Sequence, residues 1–268
     1  MKNKMRLVDL NVAIKLDNNE KVIDFLKSTE SDIITLQEAM RGIASTVYDK
    51  YNNSKLIKEA LKNTHKYDFY GALWVSDKHI KNGLVTKDFG GMAEQGNEII
   101  SRYPIIEASN HFFHKNYQIF RDTTDFRKTD HARAVVVAIV EINNQKLRLL
   151  NIHGIWNEGK IGDERTIKEC EYLLSLIEDN TIPTIVVGDF NLNPQSKSIE
   201  ILNKKLTNLI EKYNIKSTRP TVKDGLDVGN SVDDYIFVND KIKVNNFEVK
   251  QTDASDHYPL ILDFELID

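Results

Sequence analysis

Short apolar runs alternate with polar turns along this chain. RLVDLNVAI (6–14), DIITLQE (32–38), FYGALWVS (69–76), NEIISR (97–102) and ARAVVVAIVEI (132–142) are rich in β-branched and aromatic residues. KLRLLNIHG (146–154), TIVVGDF (184–190), DYIFV (234–238) and YPLILDFEL (258–266) continue the pattern. Runs of this length and composition predict strands. Helical spacing appears between them, near 19–28, 45–62, 163–179 and 196–213. In the first of these Val22, Phe25 and Leu26 share a face, and Asp17 and Asn18 precede it as N-caps. Asn143-Asn144 separates two strand runs and predicts a tight hairpin. Strands dominate and helices fall between them, so stacked sheets with helices outside are expected, in one domain over 1–268.

The chain has 268 residues, enough for a large core. Hydrophobic residues make up 41% and charged residues 28%, an ordinary globular balance. No apolar run approaches the roughly 20 residues of a membrane helix. The N-terminus reads as a first strand, not a signal peptide, and a cytoplasmic monomer is expected. With Cys170 as the only cysteine, neither an intramolecular disulfide nor a thiolate zinc site can form. Cys170 falls with Ile167, Leu174 and Ile177 on one helical face, as packing. A net charge of −4 argues against a generally basic nucleic-acid binder.

The chemistry lies where polar residues interrupt the strands. Asn11 falls within the first run, Gln37 and Glu38 close the second, and His153 ends KLRLLNIHG. In VVGDFNLNP, Gly188 lets a buried strand bend and delivers Asp189 and Asn191 together. Asp234 opens DYIFV, and Ser255, Asp256 and His257 precede the last strand. Each alone is ordinary turn chemistry. Together they put acids, amides and imidazoles at strand ends with almost no Lys or Arg. Acids so gathered repel unless a cation or charged imidazole joins them.

In this order, LQEA, GNEIISRYPI, GDFN, DDYIFV and SDHYPL resemble the motifs of the endonuclease/exonuclease/phosphatase superfamily, from Asn11 to His257. The resemblance implies a four-layered α/β sandwich, two packed mixed sheets flanked by helices. Its site would lie at one end, where the polar strand ends converge. It implies Mg2+ or Mn2+ as cofactor, with Glu38 as direct ligand, Asn11 touching metal or phosphate, and Asp256 completing the site. His257 takes the place of the catalytic histidine and Asp234 of its carboxylate partner, with Asp233 a surface neighbour. Asp189 would orient or deprotonate the attacking water, Asn191 hold a phosphoryl oxygen and His153 donate to the phosphate.

Gln37 is expected to buttress its neighbours, and Arg102 to pack beneath the site. Arg133, beside His131, is a further phosphate candidate. Trp156 stands just beyond His153, to stack on a base or sugar or, more simply, to pack on its own loop. Residues 110–133 interleave aromatics with basic residues, a nucleic-acid wall diluted by Asp122, Asp125 and Asp130. The expected activity is hydrolysis of a phosphodiester, with a nucleic acid favoured as substrate. The alternative is a small-molecule or lipid head-group phosphate ester.

Overall fold

The computed structural model describes residues 4–13, 19–120, 130–177, 179–223 and 226–267. The caps expected at Asp17 and Asn18 lie outside these. In chain order come β1 (Met5–Asn11), α1 (Asn19–Ser28), β2 (Ile33–Gly42), α2 (Asn53–Leu61), β3 (Tyr67–Lys81) and β4 (Leu84–Ser101). Next are β5 (Ile105–His114), β6 (Gln118–Ile119), β7 (Arg133–Ile142), β8 (Gln145–His153), α3 (Glu164–Ser175) and β9 (Thr184–Asp189). The chain closes with α4 (Lys197–Asn203), β10 (Thr207–Asn208), α5 (Leu209–Lys212), β11 (Val222–Lys223), β12 (Leu226–Asp227), β13 (Asp234–Val238), β14 (Ile242–Val249) and β15 (Leu260–Leu266).

Thirteen of the strands form a seven-stranded sheet, ordered β14-β15-β1-β2-β4-β3-β6, and a six-stranded sheet, β10-β13-β9-β8-β7-β5, while β11 and β12 pair by themselves. Both are mixed. β1 pairs parallel with β2 across the α1 crossover, and β8 with β9 across α3, because parallel neighbours need a long connection. Leu7, Ile33 and Ile99 of the first sheet meet Val136, Leu150, Val186 and Phe237 of the second in one core. On the outer side of the first sheet, Val22 and Leu26 of α1 and Ile57 and Leu61 of α2 pack on Val8, Ile34 and Ile100. Cys170 and Leu173 of α3 join Ile199 and Leu202 of α4 in the core that includes the second sheet. This is the four-layered sandwich expected.

The pattern of strands is richer than the apolar runs indicate. The runs at 69–76 and 97–102 belong to one long hairpin, β3–β4, turned by Asn82 and Gly83 with φ of 53° and 77°. Asn143 and Asn144 do form the expected turn, both left-handed at 51° and 68°. The helical stretch at 196–213 splits into α4 and α5, because Asn208 accepts from the N–H groups of Ile210 and Glu211 and starts a new helix. No helix among the described residues is long and apolar enough to cross a membrane.

Candidate active site

Sheet register brings the polar strand ends together. His153, Asp189 and Asp234 stand opposite one another in a single row across β8, β9 and β13. Asn11 and Gln37 form a matching row in the facing sheet. Gly188 makes the row possible. At φ 136° its backbone runs so near β8 that a Cβ would lie 2.1 Å from the Ile152 carbonyl.

His257, buried and just before β15, places Nδ1 2.9 and 3.0 Å from the two oxygens of Asp234. Thr218 donates to the same carboxylate at 2.7 Å. On the other side of the ring, Nε2 lies 3.7 Å from Asp189 Oδ2, as does His153 Nε2. Asn11 Nδ2 donates to that oxygen at 2.9 Å, while its Oδ1 accepts from Ala13 N. Asn191, left-handed at φ 54°, donates its backbone N–H to Asp189 Oδ1. Asp189 thus accepts from two oriented donors and faces two imidazoles while still lining the cavity.

Burial raises the Asp189 carboxyl, working against the attraction of His257. For His257 burial acts downward, but Asp234 and Asp189 carry the imidazole upward overall. His153 lies well below the usual imidazole range because it is desolvated beside Arg133, and is therefore neutral. Arg219 Nη1 stands 2.6 Å from His257 Nε2. Two N–H groups cannot share that line, so Nε2 accepts and the ring is neutral while Arg219 holds this place. Protonation favoured by the carboxylates requires the guanidinium to withdraw.

Basic residues are closer to the site than the sequence suggests. Arg219 also donates from Nη2 to Asp256 at 2.9 Å and lies 3.3 Å from Asp233. Asp233 is no surface neighbour. It is fully buried, pairs with Lys160, and accepts from Ser231. Its carboxyl lies below the usual range because Lys160 and other cations outweigh burial. Neither Arg219 nor Lys160 lies in a strand or a motif, so only folding discloses them. The doubled acid in VDDYIF was the one available signal.

Beside these groups opens a cavity of about 430 Å3. Arg133, Lys160 and Arg219 share its walls with the carboxylates of Glu38, Asp189 and Asp256 and with four imidazoles, of His79, His131, His153 and His257. Trp74, His79 and Gln95 of the long hairpin form one side. Trp156 is 58% exposed and lines the cavity. Arg102 lies at the opposite end of the sandwich, its N–H on the Asp32 carbonyl, rather than beneath the site. Of the 110–133 stretch, 121–129 fall outside the described residues, and Asp130 is paired with His114.

Glu38 does not close a strand. β2 continues to Gly42, and between Leu36 and Ala39 it takes three steps against two on β4. Glu38 is the extra residue of this bulge, left-handed at φ 55°, with its side chain in the cavity. A non-glycine residue held there costs energy, a pattern common at functional positions. Gln37 beside it is buried, donating to Asp9 and Asn151 at 2.8 Å each, the buttress expected. Burial pushes Asp9 up to about 8. Beneath His153, Glu169 of α3 accepts from the Ile155 N–H, and burial pushes it up to about 8. It too was not anticipated.

The hard carboxylate oxygens of Glu38 and Asp256 at one cavity suit a small divalent cation. Asp189, Asp234 and His257 also bring ligand atoms within 4.8 Å of one another. Those atoms also hydrogen-bond to one another, to Thr218 and to Asn11.

A model described as the Endonuclease/Exonuclease/phosphatase family matches residues 10–257. A UPF0294 protein of Vibrio vulnificus (strain YJ016) is 30% identical over 129 residues, 46% of this chain. The chain spans 41% of that curated relative's length. Among solved structures, an endonuclease/exonuclease/phosphatase from Beutenbergia cavernae superposes with TM-score 0.77 at 13% identity, covering 99% of this chain and 72% of the other. D. rerio TDP2 complexed with single strand DNA product gives 0.68 at 15%, with 98% and 100% covered. The mannosyl-6-phosphatase Bt3783 of Bacteroides thetaiotaomicron gives 0.64 at 15%, with 97% and 99% covered. Identities this low speak for the fold alone. With the family model spanning Asn11 to His257, and the expected residues meeting at one end of the sandwich, the chain belongs to the endonuclease/exonuclease/phosphatase family of phosphoesterases.

Proposed function

We propose that this protein hydrolyses a compact phosphate ester by in-line attack of water. The observation that carries the reading is the row of His153, Asp189 and Asp234 with His257 across it, at a half-open cavity of about 430 Å3. Asp189 is the base that takes the proton of the attacking water. Its raised pKa suits it to that task near neutral pH. Asp234 fixes the His257 tautomer with the proton on Nδ1, leaving Nε2 to face the reacting phosphoryl group. Neutral His153 and the Asn191 amide donate to non-bridging oxygens without adding charge. Glu38 and Asp256, which share the cavity wall, would hold a divalent cation such as Mg2+ or Mn2+. When bound, that cation supplies neutralisation of the developing negative charge.

A cavity of about 430 Å3 favours a substrate with a small alcohol over a long duplex, in the manner of the mannosyl-6-phosphatase that shares the fold. The nuclease reading is second. Exposed Trp156 at the cavity mouth favours it, as a platform on which the base of a single-stranded end could stack.

The test is turnover of p-nitrophenyl phosphate and bis(p-nitrophenyl) phosphate. Activity should vanish in excess EDTA and return with Mg2+ or Mn2+. Full turnover in chelator removes the cation from the mechanism, and no turnover of either ester under any metal overturns the hydrolase reading.

A further inference from the structure

The cations of the cavity are unevenly balanced. Lys160 and Arg219 are each tied to buried or half-buried carboxylates, Asp233 and Asp256. Arg133 is different. It enters from β7, lines the cavity, and forms no hydrogen bond or ion pair with any described residue. The carboxylates of Asp189, Glu38 and Glu169 act on it only at longer range. A half-buried guanidinium without a close anion carries a desolvation cost that such an anion would offset. Desolvation also lowers its pKa, the direction expected of a cation awaiting a partner.

Arg219 offers the complementary feature. One of its N–H groups is spent on the imidazole of His257, a weak partner for a guanidinium that pairs best with a two-oxygen anion. A phosphoryl oxygen arriving there would replace that contact with a charge-assisted one.

Resting on the hydrolase reading above, we infer that Arg133 and Arg219 clamp a terminal phosphate dianion between them, so that this site prefers phosphomonoesters to phosphodiesters. A terminal phosphate presents three non-bridging oxygens and, above its second pKa of about 6, two negative charges. It can meet both guanidinium groups and still accept from Asn191 and His153. A diester offers two such oxygens and one charge, and must also house a second substituent among the same walls.

Two measurements test the clamp. In steady-state kinetics with Mg2+ or Mn2+, wild type should favour p-nitrophenyl phosphate over bis(p-nitrophenyl) phosphate by at least about tenfold in kcat/KM. R133Q and R219Q should reduce that ratio about tenfold, chiefly through KM for the monoester. R133K, which keeps the charge, should retain part of it. Calorimetric titration with orthophosphate gives a readout independent of turnover. Its Kd should weaken about tenfold in each Gln variant, with circular dichroism confirming the fold. Preference for the diester by wild type, or phosphate binding unchanged in both variants, overturns the clamp. Loss of turnover on both esters, with phosphate binding still sensitive to Arg133 and Arg219, overturns the hydrolase reading while leaving the clamp standing.

Discussion

Asp189 accepts a hydrogen bond from Asn11 of the first sheet and lies 3.7 Å from the imidazole of His257, which is held in turn by Asp234 of the second. Removing either its carboxylate or the His257 imidazole should therefore act on the transition state rather than on folding. Asp189→Asn and His257→Ala are each expected to lower kcat by about a thousandfold or more with an unchanged circular dichroism spectrum. Near wild-type turnover in either would refute the roles given them. Glu38→Gln should behave differently, shifting the metal concentration needed for half-maximal rate, with excess Mg2+ restoring part of the activity. Gly188 tests the geometry itself. An alanine there would press a methyl against the Ile152 carbonyl at a left-handed φ, so Gly188→Ala should cost about 3 kcal/mol or more in urea denaturation. A variant as stable as wild type would show that β9 need not approach β8 so closely. At this scale the motif residues were legible, because each ends or interrupts an apolar run. Arg219 was not: 38 residues separate it from His257, and it sits in an irregular loop with no periodicity to betray it.

Elements were legible where one period holds throughout, and obscured where a single residue changes it. β1, β9 and β13 are short buried runs and read directly. β2 does not, because its bulge at Glu38 reverses which face each later residue presents. The polar outer halves of β3 and β4 extend beyond the apolar core, so hydrophobicity marked only their inner ends. Helix α3 matters to the site because Glu169 supports the strand end after His153, and its start rests on a capping box. Asp163 accepts from the N–H groups of Arg165 and Thr166, while Thr166 accepts from the N–H of Asp163. Asp163→Ala should cost about 1 kcal/mol. The cap also predicts a pH dependence. Hydrogen bonds from Arg165 hold the Asp163 carboxyl below its ordinary range, so its contribution is complete above that range and disappears as pH falls through the folded-state value. Denaturation of wild type and D163A should therefore differ at pH 7 and converge in strong acid. A gap that persisted there would assign the cost to something other than the charged cap.

Across the whole molecule, the carboxyls buried between and beneath the sheets govern stability near neutrality. Burial raises Asp9 to about 8, Glu98 to about 7 and Glu169 to about 8. Each keeps its proton in the folded protein after the unfolded chain has lost it, so stability falls as pH rises from the ordinary carboxylate range towards 8. Desolvated His65, lowered to about 4, opposes this only below the usual imidazole range. Without added metal, Tm should decline between about pH 6.5 and 8.5; a rise across that interval would mean that these acids are ionised in the fold. A second property follows from the net charge of −4. Binding to single-stranded DNA should weaken only shallowly from about 50 to 200 mM salt, by one to three phosphates' worth, and a thousandfold loss would reveal a long basic track. Such global balances could be drawn from composition, but the buried acids could not, since their neighbours come from distant strands. The fold also carries its own reporter. Cys170 is the sole thiol, fully buried on α3 beside Glu169, and burial pushes its pKa well above the ordinary thiol range. A pulse of alkylating reagent would thus be silent on the native protein and would mark only the moments when α3 lifts away. The labelled fraction becomes a clock for the opening of the layer beneath His153, readable by mass without any engineered probe.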